Sequence, residues 1–114
     1  MADHITIREA EGTWTVRAGG AVIGESRQAL ELREGDQAPV IYFPREDIAM
    51  AFLDTSEKTS HCPYKGDARY YSVVTKSRTL EDAVLSYESP KEEVGAIRGY
   101  LAFNPIEEIT IERI

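Results

Sequence analysis

Polar and apolar residues alternate with a period of two through much of the first third of the chain. Ile5 and Ile7 are interleaved with His4, Thr6 and Arg8, and Trp14 and Val16 with Thr13, Thr15 and Arg17. This is the pattern of strands that bury one face. Gly19-Gly20 then precedes a second β-prone run, Ala21-Val22-Ile23. Two glycines accept positive φ without steric penalty, so the pair predicts a two-residue hairpin turn. Glu34-Gly35-Asp36 is another break, and Val40-Ile41-Tyr42-Phe43 is a continuous apolar run, the mark of a strand buried on both faces.

Pro44 changes the pattern. Proline suits the first turn of a helix, and the following residues place Ile48 with Phe52, and Ala49 with Leu53, four apart on shared faces. The spacing predicts a short helix over 45–53, stopped by the turn formers Asp54, Thr55 and Ser56. A loop follows, and 68–75 returns to strand character through Tyr70, Tyr71, Val73 and Val74. Ser89-Pro90-Lys91-Glu92 has the form of a capping box and predicts a second short helix, ended before Gly99. The segment from Tyr100 to Phe103, then Ile109 and Ile111, predict closing strands. Without repeats or a linker, the expectation is one mainly β domain over 1–114 with two short helices.

Composition narrows the function classes. At 114 residues with 42% hydrophobic and 29% charged residues, the chain suits an ordinary soluble domain with one modest core. Its longest apolar run, 48–53, is far too short to cross a bilayer, and no basic segment followed by an apolar one opens the chain. The single cysteine excludes an internal disulfide, and these features together predict a cytoplasmic location with no membrane partner. A net charge of −7 argues against nucleic acid as a partner, because phosphate attraction needs positive charge. Arg45, Lys65, Arg69, Lys76 and Arg78 are interleaved with Glu46, Asp47, Asp54, Glu57 and Asp67, a mixed solvated surface.

Candidate chemistry crowds into 59–71, which holds Cys62, His61, Lys65 beside Gly66, and Tyr64, Tyr70 and Tyr71. Cys62 becomes a nucleophile only as thiolate, which His61 or Lys65 could favour; the bland alternative is a small buried hydrophobe. Lys65 beside a glycine could meet a phosphate or carboxylate as a point charge, or simply be a solvated lysine at a hairpin. One Cys and two His fall short of a structural zinc site, so neither a metal nor a cofactor is expected. If Tyr70 and Tyr71 lie in a strand they point to opposite faces, so one can pack inside while the other lines a pocket.

At these residues the chain resembles a known family. Ile41-Tyr42-Phe43-Pro44-Arg45-Glu46-Asp47-Ile48, then Thr59-Ser60-His61-Cys62-Pro63-Tyr64-Lys65-Gly66 and Tyr70-Tyr71, closely resemble the bacterial family known as domain of unknown function 427. Ser86-Tyr87-Glu88-Ser89-Pro90 and Ile97-Arg98-Gly99-Tyr100-Leu101-Ala102-Phe103 resemble its C-terminal pattern. The resemblance implies a small mainly β domain of the β-tent type. Relatives in that wider group bind zinc through paired Cys-x-x-Cys motifs, which this chain lacks. Leu85 stands where the family commonly has a tryptophan. A nucleotidyltransferase label sometimes attached to the family implies paired acids for magnesium, yet the chain has no Asp-x-Asp.

The leading expectation is a domain that binds a small molecule, anionic or nucleotide-like, at the Cys-Pro-x-Lys-Gly loop. Its site residues would be Tyr42, Arg45, Cys62, Lys65 and Tyr70, with Cys62 as the candidate catalytic residue if there is one. Two alternatives stay open: an enzyme using the Cys62 thiol or acting as a transferase, and a protein-interaction module.

Overall fold

The computed structural model describes residues 4–114, and among them every strand pairing is antiparallel. In chain order the strands are β1 (Ile5–Glu9), β2 (Trp14–Ala18), β3 (Ala21–Ser26), β4 (Leu30–Glu34), β5 (Val40–Phe43), β6 (Leu53–Cys62), β7 (Gly66–Val74), β8 (Thr79–Ser86), β9 (Leu101–Phe103) and β10 (Ile109–Arg113). Seven of them form one sheet in the order β1-β4-β5-β9-β8-β7-β6, and β10-β2-β3 form a second. The mainly β expectation is met, and the predicted strands at 5–7, 14–16, 21–23, 40–43, 68–75, 100–103 and 109–111 all have counterparts. Gly19 and Gly20 do make the β2–β3 turn, with φ of 56° and 87°.

Alternation along each strand gives the large sheet two buried faces. One carries Ile41, Phe43, Tyr71, Val73, Val84, Leu101 and Phe103, and packs on Val16, Ala18 and Ile23 of the small sheet to form the main core. The other carries Leu32, Tyr42, Ala68, Tyr70 and Ala102, and is covered by Tyr87, Val94 and Ile97 of the segment after β8. The registered row Leu30–Tyr42–Ala102–Leu85–Tyr70 crosses five strands of this second face. This is why the β5 run is apolar without alternation: Tyr42 serves one core, and Ile41 and Phe43 serve the other.

The sheet also curls over its second face. Glu34 ends β4 near one edge, and Lys65 lies in the turn between β6 and β7 at the other, yet their side chains meet at 2.9 Å. His4, just before β1, stacks edge-on against Tyr64 of the same turn, with ring centroids 4.5 Å apart. These contacts draw the two margins together and enclose the tyrosine-rich core.

The two predicted helices are replaced by 3₁₀ turns. Arg45–Asp47 and Met50–Phe52 are single turns with Ile48 extended between them (φ −109°, ψ 137°). The reason is competition from a sheet edge: Ile48 forms a bridge to Gly24, and the Ala49 amide donates to the Ile23 carbonyl at 2.8 Å. Strapping β3 satisfies these backbone groups better than an isolated two-turn helix, whose nucleation is unfavourable. Ile48 and Phe52 still face the main core, as their spacing predicted. Ser89 likewise caps nothing, since Glu92–Ile97 is a 3₁₀ segment preceded by Lys91 in extended geometry. The Lys91 amide instead donates to the Lys65 carbonyl at 2.9 Å, docking this segment on the β6–β7 turn.

Gly24 makes the strap possible. A Cβ at this position would lie 2.5 Å from Ile48 Cδ1 and 2.7 Å from the Asp47 carbonyl oxygen. Gly24→Ala is therefore expected to lower stability by about 1–3 kcal/mol through overpacking against backbone, whereas Gly95→Ala, where a Cβ meets nothing within 4 Å, serves as the neutral control. Urea unfolding of both variants checks this.

Candidate functional site

The two-residue period of β7 sends Tyr70 and Tyr71 into different cores, and this separates the predicted site residues into two groups. Tyr42, Tyr70, Cys62 and Lys65 come together on the enclosed face. Arg45 does not join them; it lies on the opposite face of the sheet, with Tyr71.

On the enclosed face, Tyr42 and Tyr70 are buried and Cys62 is half-buried against them. The Tyr70 hydroxyl is 3.0 Å from Ser60 Oγ. Lys65 donates to Glu34 at 2.9 Å, and its ammonium stands 5.9 Å from the centroid of the Tyr87 ring. Lys65 is thus not the solvated lysine of a plain hairpin, for only 13% of its side chain is exposed. The hydrogen bond from Lys65 is the strongest influence on Glu34 and holds its carboxyl below the usual range, against the opposing effect of burial. Gly66, with φ of 111°, turns the chain where an L side chain would be strained.

Tyr42 and Tyr87 give this face its unusual character. Both residues are buried, but no buried side-chain oxygen or nitrogen among the described residues lacks a partner, so their hydroxyls, which pair with no protein group among them, keep contact with solvent. Burial, reinforced by Tyr87, Cys62, Glu34 and Tyr70, pushes the Tyr42 phenol far above its ordinary value. Burial, then Cys62, Tyr70 and Glu34, pushes Tyr87 up to about 12. Both remain neutral donors at any physiological pH. Chemically the face offers two phenol O–H groups and the Lys65 ammonium, one of whose three N–H groups Glu34 takes, toward one small region, an arrangement suited to an anionic or carbonyl oxygen.

His61 follows β6 alternation away from Cys62 and pairs with Asp67 at 2.7 Å on the exposed outer side. His4 is engaged with Glu34 at 3.4 Å. Among the described residues, no three His, Cys, Asp or Glu side chains come together as metal ligands.

The Arg45 group is a separate network. Arg45 donates to the Tyr71 hydroxyl at 3.2 Å and to Glu88 at 3.2 Å, and the Tyr71 hydroxyl donates to Glu88 at 2.9 Å. Arg69 joins Glu88 at 3.4 Å, and the two guanidiniums flank the Tyr71 ring at 5.6 and 5.5 Å. Burial raises the Glu88 carboxyl, but the Tyr71 and Arg69 hydrogen bonds and both guanidinium charges bring it below its usual value. The carboxylate thus occupies the place between the arginines that an anion would otherwise take.

Two residues of the enclosed face escaped the sequence reading. Glu34 lies 31 positions from the lysine it pairs with, and nothing local to Glu34-Gly35 signals more than a turn. Tyr87 stood in a recognisable Ser-Tyr-Glu element, but only the fold brings that element over Tyr42.

No helix among the described residues is long and apolar enough to cross a membrane. A family model described as Domain of unknown function (DUF427) matches residues 6–112. No curated protein matches the chain.

Proposed function

The chain belongs to the family described as domain of unknown function 427, and from that premise we propose that it binds a small molecule presenting an anionic oxygen, nucleotide-like or carboxylate, to the face built from Tyr42, Cys62, Lys65, Tyr70 and Tyr87. The observation that carries this reading is the pair of hydroxyls on Tyr42 and Tyr87, unpaired among the described residues and still touching solvent at the edge of buried rings, beside the Lys65 ammonium. Two neutral donors open to solvent next to a cation are available to an acceptor oxygen brought by a ligand. Lys65 supplies the charge, the phenols supply neutral directional donors, and Cys62 and Tyr70 form the wall. Arg45 is outside this site.

The test is a thermal-shift panel of nucleotides, nucleobases and carboxylate metabolites. A ligand at one hundred times its dissociation constant stabilises the fold by about 2.7 kcal/mol, well within reach of such an assay. Tyr87→Phe keeps the ring packing and removes only the hydroxyl, so it is expected to weaken a true hit by about tenfold. A panel without a hit, or a hit indifferent to both Tyr87→Phe and Lys65→Ala, refutes the reading.

A further inference from the structure

We propose a second ligand site, independent of the first: the cleft at the open end of the two-sheet sandwich, which takes a compact apolar molecule carrying an N–H donor. The cleft measures about 490 Å³, within the range of small-molecule pockets. The small sheet contributes Trp14, Ile109 and Ile111, and the large sheet contributes Ile41 and Phe103. Pro39 and Pro105 form the rims. The registers explain the arrangement. Ile109 and Ile111 pair with Ala18 and Val16, so they share the core-facing side of their sheet. Glu31 pairs with Ile41 and with Arg8, which sets a carboxylate at the end of an otherwise apolar wall.

The charged group on the wall is an acceptor. Glu31 receives Arg8 at 2.8 Å and Arg33 at 3.2 Å, both on Oε1, which leaves Oε2 unengaged among the described residues. Asn104 donates one of its two side-chain N–H groups to the Asp82 carbonyl at 2.9 Å, and its Oδ1 stays available as an acceptor. The Trp14 indole N–H is already donated to the Glu11 carbonyl at 3.1 Å, so Trp14 offers its ring rather than a donor. An apolar chamber whose one charged lining residue is a carboxylate selects a ligand with N–H, an amine or an amide, over one of equal size bearing a carboxylate.

Trp14 is the only tryptophan of the chain, so its fluorescence reports this cleft directly. The probes are phenethylamine and hydrocinnamate, alike in size and opposite in head group. Phenethylamine is expected to change Trp14 emission saturably and to bind about tenfold tighter than hydrocinnamate. Glu31→Gln, which keeps an acceptor oxygen for Arg8, should remove most of that preference. Ala38→Phe fills the cleft rim from an exposed position and should weaken amine binding by about tenfold. Absence of a saturable response to the amine, equal binding of the two probes, or undiminished binding in Ala38→Phe overturns the proposal. Tyr87→Phe and Ala38→Phe separate the two sites, since each variant should affect only its own ligand.

Discussion

Phe43→Ala is expected to remove about 3–5 kcal/mol of stability. Phe43 has no exposed surface and sits in the middle of the main core. Its ring meets Phe103 edge-on, with centroids 5.9 Å apart and planes at 88°. The loss therefore combines transfer of a whole ring out of the core, one aromatic pair and a cavity between two sheets. Sheets tied at both edges cannot collapse into such a void, and β5 is held between β4 and β9. Domains of this size have a total stability of about 5–15 kcal/mol, so the variant would be at the margin of folding. In urea the midpoint should fall sharply while the slope stays that of the wild type. A loss under about 1.5 kcal/mol would mean that the inter-sheet space relaxes freely, contrary to the close packing of the core.

The same residue shows why part of the fold was legible in the sequence. Strands whose faces differ in polarity, such as β1 and β2, declare themselves by alternation, and the β5 run declares burial on both faces by lacking it. The β2–β3 turn was legible because Gly19-Gly20 meets a local steric demand. The failures have different causes. Residues 45–52 carry helical spacing, but the unpaired edge of β3 takes the Ala49 amide. Strand β8 was missed because Asp82, the one non-glycine residue with positive φ among those described (53°), breaks the alternation between Leu80 and Val84. Strand β4 does carry a local signal, Leu30 and Leu32 alternating with Glu31 and Arg33. Four of the five nominated ligand-binding residues share one face, because they lie on strands or a turn that converge there. Arg45 looked equivalent in sequence, but a single step of register separates Tyr71, its partner, from Tyr70.

Lys65→Met is expected to cost about 2–4 kcal/mol at neutral pH, less than a fully buried ion pair and more than an exposed one. Methionine keeps the length of the side chain, so the loss is chiefly that of the charge facing Glu34. That carboxylate has only 17% of its side chain exposed and would retain only His4 as a basic partner among the described residues. Because the pair joins the two margins of the sheet, the β6–β7 turn should loosen, visible as faster exchange of the Lys65 amide, which donates to the Cys62 carbonyl, and of the Lys91 amide, which donates to the Lys65 carbonyl. The pH dependence gives the sign. Glu34 has a carboxyl held below its ordinary value of 4.5 in the folded protein, so its contribution is complete above that value and is lost as pH falls through the lower, folded one. In Lys65→Met the unpaired carboxylate gains from protonation instead. The difference between wild type and variant should therefore be largest near neutrality and shrink steadily below about pH 4.5. Parallel stability curves down to acid pH would show that the lysine acts by packing alone. In that case the Lys65 charge would not be what holds the sheet closed over Tyr42 and Tyr87.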